Sequence, residues 1–151
     1  MPRRKAPPRK RLVPESPPAS SAAVRRAMQG NRAEGTRPEA AVASAIHRRG
    51  LRYRKHVRPE ASLRCTADFV FRKARVAVFV DGCFWHGCPE HGRVPKDSGG
   101  YWAAKLGRNA ERDRRNDAAL AEAGWAVLRF WEHEDPEAVA AAVERAVRER
   151  R

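Results

Sequence analysis

The sequence is poor in cysteine, in acidic residues and in long apolar segments. Its 151 residues include three cysteines, and 18 Asp and Glu stand against 32 Lys and Arg. No segment approaches the roughly 18 consecutive apolar residues of a membrane span, and the basic N-terminus lacks the apolar core of a signal peptide. We therefore expect no membrane partner, a cytoplasmic, nucleoid-associated protein, and thiols or metal ligands rather than disulfides.

Positive charge, in contrast, is abundant. The formal net charge is +14, and a field of this sign attracts polyanions, with nucleic acid as the first candidate. Residues 1–25 combine seven Lys and Arg with six prolines, which predicts a disordered basic tail that either adds phosphate contacts or is dispensable. Residues 26–151 have room for one hydrophobic core, so a single domain is predicted there.

The spacing of apolar residues predicts a mixed α/β fold. A helix is expected to begin at Thr36, whose spacing to Glu39 is that of a capping box, and to end at Gly50. The elements that follow are predicted as three strands, a helix, a strand and a helix, over 51–57, 68–71, 75–81, 101–123, 125–131 and the residues after Pro136. The apolar segment 75–81 is expected at the centre of the sheet. Helices covering a mixed central sheet are the simplest packing.

Asp68 and Asp81 are the first candidates for a metal site. If the hairpin pairs Arg72 with Arg75, Asp68 lies opposite Phe79 and shares a face with Asp81. Diagonal neighbours of this kind are about 7–8 Å apart, so the two carboxylates could converge on one divalent cation. The alternative is a pair of ordinary exposed residues at strand ends.

His86 lies five residues after Asp81, in a loop that Gly82 and Gly87 allow to fold back over the sheet edge. An imidazole has a pKa near neutrality and is suited to activating water for attack on a phosphate. The alternative is a polar loop residue without a chemical role.

A zinc site is predicted from Cys88 and His91, whose spacing is that of half such a site. Asp113 lies on the apolar stripe of the helix 101–123, where a carboxylate requires a cation or dense hydrogen bonding. We predict a ligand set of Cys88, His91, Asp113 and His133. Two alternatives stay open: a local set of Cys83, His86, Cys88 and His91, and an Asp113 bound to arginines such as Arg129.

Three aromatic residues, Phe84, Trp85 and Trp102, are candidates for contact with nucleic acid. Aromatic wedges can enter a base step and unstack it. Phe84 and Trp85 are adjacent and cannot easily both face inward, so at least one is expected to meet a ligand. Trp102 has a second interpretation as the first core residue of its helix.

The segments VFVDGCFWHGCPEHG at 78–92 and LGRNAERDRRNDAALAEAGWAVLRFWEHE at 106–134 resemble the very short patch repair endonuclease family, and the likeness extends over about 28–134. The resemblance implies a restriction-endonuclease-like fold, a structural zinc ion, catalytic Mg²⁺, and nicking of DNA on the 5′ side of the thymine in a T:G mismatch created by deamination of 5-methylcytosine. Double-stranded DNA is then the partner of an expected monomer, with mismatch-repair proteins as further candidates.

Carried over by position, the resemblance assigns catalytic roles to four residues. Asp68 resembles the metal-binding aspartate, His86 the histidine that handles the attacking water, and Glu39 an acidic residue near the metal-bound waters. Asp81 stands where a histidine can occur in the family, which leaves open whether it binds metal directly or holds water. Val80 would contribute its carbonyl oxygen to Mg²⁺.

The same carry-over places zinc on Cys88, His91, Asp113 and His133, and the wedge on Phe84, Trp85 and Trp102. The chain departs from the family in two ways. The turn before Asp68 lacks the Pro-Gly-x-Pro pattern, and Cys83 stands where many nucleases of this fold have a catalytic lysine, so that work is expected to fall to His86.

Three rival functions follow from the same features. The first is a nuclease of the same fold with a different DNA target. The second is a non-catalytic zinc module that binds DNA, which the charge and the Cys88 and His91 pair alone would favour. The third and weakest is a basic ribosome-associated protein, against which Asp68 and Asp81 in a central hairpin count.

Overall fold

The computed structural model describes residues 35–83, 85–92 and 100–151 together with Ala22. Residues 35–151 of this part contain four strands and three helices. They are α1 (Arg37–Arg48), β1 (Arg54–Val57), β2 (Ala67–Phe71), β3 (Val76–Asp81), α2 (Tyr101–Glu122), β4 (Ala126–Trp131) and α3 (Pro136–Glu149). The predicted order of elements is confirmed. Of the predicted basic tail only Ala22 is described. None of the helices in the described residues has the length and apolar character of a membrane span.

The strands form one mixed sheet in the order β1-β2-β3-β4. β1 and β2, and β2 and β3, are antiparallel, whereas β3 and β4 are parallel. Phe71 pairs with Val76 and Phe69 with Val78, which is the register expected from an Arg72 to Arg75 turn. The central position predicted for 75–81 is confirmed, and the parallel β3–β4 connection runs through α2, as a crossover must.

Alternating residues of the strands build two cores on opposite faces of the sheet. Phe69, Val76 and Val78 pack with α1 and α3 on one face. Val70, Ala77 and Phe79 pack with Leu120 of α2 and with Trp125 on the other. Three valines on one side of α3 are almost completely buried in the first of these cores, namely Val139, Val143 and Val147. The sheet is therefore covered by helices on both faces.

The two helix starts differ in how they are capped. Asp135 caps α3, because its carboxylate accepts hydrogen bonds from the N–H groups of Glu137 and Ala138. Thr36 is the N-cap of α1, but its side chain makes no cap hydrogen bond, so the predicted capping box is wrong. Glu39 instead accepts a bond from the Gly35 N–H at 3.2 Å and is buried, which directs its carboxyl group inward.

β1 is shorter than predicted because its first residues are not paired. Leu51 is buried in a coil segment, and the pairing runs from Arg54 with Val70 to Val57 with Ala67. Within this short strand, His56 has a left-handed backbone with φ of 50°. The residue with the left-handed backbone therefore lies beside the first residues of β2.

Candidate active site

The site lies where β2 and β3 part. Their pairing runs from Phe71 and Val76 to Phe69 and Val78. Beyond it, the N–H of Val80 donates to the Asp68 carboxylate, with 2.7 Å between N and Oδ2. A side-chain oxygen thus takes the place of a strand carbonyl, and this fixes Asp68 in the gap between the strands. Val80, predicted to offer its carbonyl to a metal, lies beside Asp68, and that role stays a prediction.

Asp68 forms the first of three clusters, together with Glu39 and His56. His56 lies between the two carboxylates, with Nε2 2.7 Å from Glu39 Oε1 and Nδ1 3.8 Å from Asp68 Oδ1. Burial raises the pKa of Asp68 to about 6, and the nearby Glu39 adds to this increase, while the Val80 N–H and His56 oppose it. The buried carboxylate of Glu39, the partly buried carboxylate of Asp68 and an imidazole within reach of one point are ligands that a divalent cation can accept.

Asp81 belongs to a second cluster, with His86 and Asp113. Its carboxylate is bound by the Arg129 guanidinium, with Nη1 3.0 Å and 3.2 Å from the two oxygens. Burial raises the pKa of Asp81, and His86 and Arg129 oppose that increase. Asp68 and Asp81 were expected to converge on one cation. The structure instead places them in different clusters, because Arg129 binds Asp81 beside His86 and Asp113.

The shortest contact in this second cluster joins His86 and Asp113. His86 Nδ1 lies 2.6 Å from Asp113 Oδ2, and with the proton on Nδ1 the other ring nitrogen is free to act as a base. The Asp113 side chain is 15% exposed and also lies 3.8 Å from Arg129. The carboxylate of Asp113 has the partner that its position requires, but this partner is the imidazole of His86, and the structure does not bring Asp113 to Cys88, His91 and His133 as predicted.

The third cluster contains Cys83, Cys88, His91 and His133. Cys83 Sγ and His91 Nδ1 each lie 3.2 Å from His133 Nδ1, and Cys88 Sγ lies 3.9 Å from His91 Nδ1 and 3.8 Å from His133 Nδ1. Neither predicted ligand set is the one that the fold assembles. Cys83 takes the place given to Asp113, and His86 belongs to the other cluster. The third cysteine, Cys65, is buried in the core beside α2.

The predicted wedge residues lie in different surroundings. Phe84 falls outside the described residues. Trp102 is 5% exposed and packs against Tyr101, with ring centroids 5.0 Å apart, which agrees with its interpretation as a core residue. Trp85 is partly exposed, lies over Trp102 with centroids 5.8 Å apart, and accepts a backbone hydrogen bond from Asn109 at 3.0 Å. DNA contact by Phe84, Trp85 and Trp102 stays a prediction.

Sequence reasoning missed His56 and named Arg129 and Cys83 only in the alternatives that it left open. The β1–β2 register brings His56 opposite Asp68, but the nine residues between the two strands do not fix that register in advance. Arg129 occupies an inner position of a strand, where its charge indicates an acidic partner. For Cys83 the available signal was its spacing to Cys88 and His91.

Comparison with known proteins identifies relatives of this chain. The family model described as DNA mismatch endonuclease Vsr matches residues 20–90. The chain is 52% identical over 122 residues to the type II nicking enzyme V.NaeI of Lentzea aerocolonigenes, which covers 79% of this chain and 74% of the relative. It is 43% identical over 126 residues to the type II nicking enzyme V.NmeDIP of Neisseria meningitidis serogroup C, with coverages of 82% and 78%.

The chain is also 40% identical over 98 residues to the DNA mismatch endonuclease Vsr of Escherichia coli K12, covering 62% of this chain and 59% of that protein. A mixed sheet flanked by helices, with clustered carboxylates and histidines where two strands part, together with these relatives defines the class as a DNA endonuclease. The chain belongs to the Vsr family. The resemblance found in its sequence is thereby confirmed, and its fold is consistent with the restriction-endonuclease-like architecture.

Proposed function

We propose that this chain nicks double-stranded DNA on the 5′ side of the thymine in a T:G mismatch arising from 5-methylcytosine deamination, by metal-assisted hydrolysis of the phosphodiester. The observation that carries this proposal is the division of the acidic and histidine side chains into two groups at the parted strand ends. One group, around Asp68, suits a cation, and the other, His86 with Asp113, suits a water molecule. The names of the relatives, nicking enzymes and a mismatch endonuclease, agree with it.

Asp68 and Glu39 would hold the catalytic cation, for which we propose Mg²⁺. Their fit rests on one buried and one partly buried carboxylate, of which the buried one, Glu39, keeps an Oε1 atom that accepts no hydrogen bond within the described residues. When bound, Mg²⁺ would neutralise charge on the phosphate and on the leaving oxygen. The Val80 N–H keeps the Asp68 carboxylate turned toward this position.

His86 would act as the general base. With Nδ1–H donated to Asp113, the Nε2 lone pair accepts a proton from the water that attacks phosphorus. The imidazolium that forms is stabilised by Asp113 and by Asp81, whose Oδ1 lies 3.8 Å from Nδ1. Arg129 keeps both carboxylates in position. The lysine absent at position 83 is then not needed for proton transfer.

A structural zinc ion is proposed on Cys83, Cys88, His91 and His133. Zn–S bonds of about 2.3 Å and Zn–N bonds of about 2.0–2.1 Å in a tetrahedron separate the donor atoms by about 3.3–3.8 Å. The separations of 3.2–3.9 Å among the described donor atoms fit this geometry. The ion would join the loop after β3 to His133, the second residue after β4.

Selection of the mismatch is proposed to use Trp85 and Phe84 as the wedge. A mismatched pair costs less to unstack than a Watson–Crick pair, so insertion of an aromatic ring favours it. The buried Trp102 would support Trp85 from below. Lys105, whose Nζ lies 5.0 Å from the Trp85 ring centre, would place a positive charge beside the duplex.

A nicking assay on a panel of mismatched and matched duplexes, with varied flanking sequences, tests the proposal. We expect cleavage at T:G that is lost in Asp68→Ala and in His86→Ala, since each removes one of the two chemical groups. His47→Ala, at an exposed histidine on α1, is the matched control and should cleave normally. Undiminished nicking by both site variants would refute the assignment.

A second candidate is a nickase of the same fold with another DNA target. The names of the first two relatives specify nicking without naming a mismatch, and this favours keeping the candidate. The same panel decides between the two, because cleavage confined to a matched or modified site would replace the T:G assignment. A zinc module without catalysis would bind the duplexes and cut none of them.

A further inference from the structure

His56 has no part in the proposed reaction, yet it lies between the two carboxylates assigned to the cation. Its Nε2 faces Glu39 and its Nδ1 faces Asp68, at 2.7 Å and 3.8 Å. The ring is largely enclosed, with 19% of its side chain exposed. An imidazole in this position must either link the carboxylates or share their ligand.

His56 Nε2 and Glu39 Oε1 lie 2.7 Å apart without the alignment of a hydrogen bond. The Glu39 side chain is 6% exposed, and its Oε1 accepts no hydrogen bond within the described residues although the ring nitrogen lies 2.7 Å away. A ring nitrogen and a carboxylate oxygen at this distance require a positive charge between them, which is either a proton or a metal ion. A cation bound by both groups would take the place of the proton.

The separations agree with ligands of a single ion. Adjacent donors of an octahedral ion with bonds of about 2.1 Å lie about 3 Å apart. Ligand atoms of Glu39, His56 and Asp68 lie within 4.8 Å of one another.

The backbone at His56 shows that the fold holds this side chain in a constrained position. Its φ of 50° lies in the left-handed region, which is uncommon for a residue other than glycine. Residues with such a backbone occur preferentially at ligand and active sites. The residues on either side stay paired with β2, Lys55 with Phe69 and Val57 with Ala67. The irregularity is thus confined to the residue opposite Asp68.

We propose that His56 is a third protein ligand of the cation held by Asp68 and Glu39, so that this site prefers a divalent transition ion such as Mn²⁺ over Mg²⁺. The inference rests on the proposed function for the presence of a cation at Asp68. Magnesium takes oxygen ligands and retains its waters, so an imidazole adds little to its binding. First-row transition ions accept nitrogen donors as well, and their affinity gains from one.

Manganese binding by the zinc-loaded full-length protein tests the proposal. Electron spin-echo spectroscopy of bound Mn²⁺ detects a directly coordinated imidazole nitrogen. We expect that signal in the unaltered protein and its loss in His56→Asn, with Mn²⁺ affinity reduced about tenfold or more and Mg²⁺ affinity changed far less. Asparagine is chosen because it tolerates a left-handed backbone.

Two matched variants exclude other histidines. His86→Asn, in the neighbouring cluster, and His47→Asn, exposed on α1, should both keep the nitrogen signal. Unchanged zinc content and an unchanged circular dichroism spectrum show that a variant is folded, and His56→Gln provides a second substitution at the same position.

The opposite result has a definite meaning. If His56 is a protonated clamp that substitutes for the metal, His56→Asn will bind Mn²⁺ more tightly than the unaltered protein, and no nitrogen signal will depend on it. That outcome, or a signal that persists in His56→Asn, overturns the inference. Absence of nicking on every duplex would count against the proposed function alone, since Mn²⁺ binding is measured without DNA.

Discussion

At the scale of single residues, the pairing of His86 with Asp113 gives the carboxylate a measurable role. Asp113→Asn leaves the size and shape of the side chain almost unchanged. Its amide can either donate to or accept from His86, so it no longer holds the His86 imidazole in one tautomer. We expect the turnover number for nicking to fall by about a hundredfold or more, with little change in DNA affinity. Single-turnover kinetics beside a binding titration measure both. An equal loss of affinity would show that Asp113 acts on folding instead.

Zinc content separates the two ligand sets for the metal site. Cys83→Ser should lower zinc content well below one ion per chain and destabilise the protein, because a structural zinc site contributes folding free energy. Asp113→Asn should retain the full complement. Cys65→Ser is the matched control, since this cysteine is buried in the core away from the cluster. Zinc retained in Cys83→Ser and lost in Asp113→Asn would restore the set expected from the sequence.

The buried carboxylate of Asp68 predicts a pH dependence of stability. Its pKa is raised to about 6 in the folded chain, so it contributes stability at low pH that is lost as the pH rises through about 6 in the absence of a bound cation. Asp68→Asn removes that loss. The variant should therefore be inactive yet more stable than the unaltered protein above pH 6, by up to about 3 kcal/mol.

Urea unfolding of the zinc-loaded protein without added Mg²⁺ measures this difference. The difference should narrow as the pH falls below about 6 and should disappear only below 3.8, the ordinary pKa of an aspartate, where the carboxyl group becomes protonated in the unfolded chain as well. Equal stabilities of Asp68→Asn and the unaltered chain at pH 8 would contradict the prediction.

At the scale of elements, the two helix starts form a matched pair. Asp135→Ala should reduce the free energy of unfolding by about 0.5–2 kcal/mol, because the carboxylate caps two N–H groups of α3. Thr36→Ala should change it much less, since the Thr36 side chain makes no cap bond. Thermal and urea unfolding of both variants compares them. A larger loss from Thr36→Ala would mean that α1 is capped in another way.

The elements could be predicted where periodicity and turn chemistry agree. The valines of α3 and the tight turn before Arg75 fixed the last helix and the central hairpin, and with them the position of Asp68 opposite Phe79. The position of β1 relative to β2 depends on nine residues between them and on a bulge-like φ at His56, neither of which periodicity encodes. The partner of Asp113 likewise depends on how α2 packs over the loop after β3, which is a tertiary property.

At the scale of the whole molecule, the net charge of +14 predicts strongly salt-dependent DNA binding. The six Lys and Arg residues nearest the N-terminus are Arg3, Arg4, Lys5, Arg9, Lys10 and Arg11. Replacing all six by glutamine should weaken binding to matched and mismatched duplexes equally and should make the affinity less dependent on salt. Binding isotherms at several salt concentrations measure the slope. An unchanged slope would show that this segment is dispensable for DNA contact.

The hydrogen bond from the Val80 N–H to Asp68 bears on the use of this chain as a reagent. An asparagine at position 68 retains an oxygen acceptor for that N–H while it removes the negative charge. One isosteric change would then give a protein that cannot cut yet keeps its shape and gains stability. On the proposed function, such a variant would bind T:G pairs in intact DNA without cutting them.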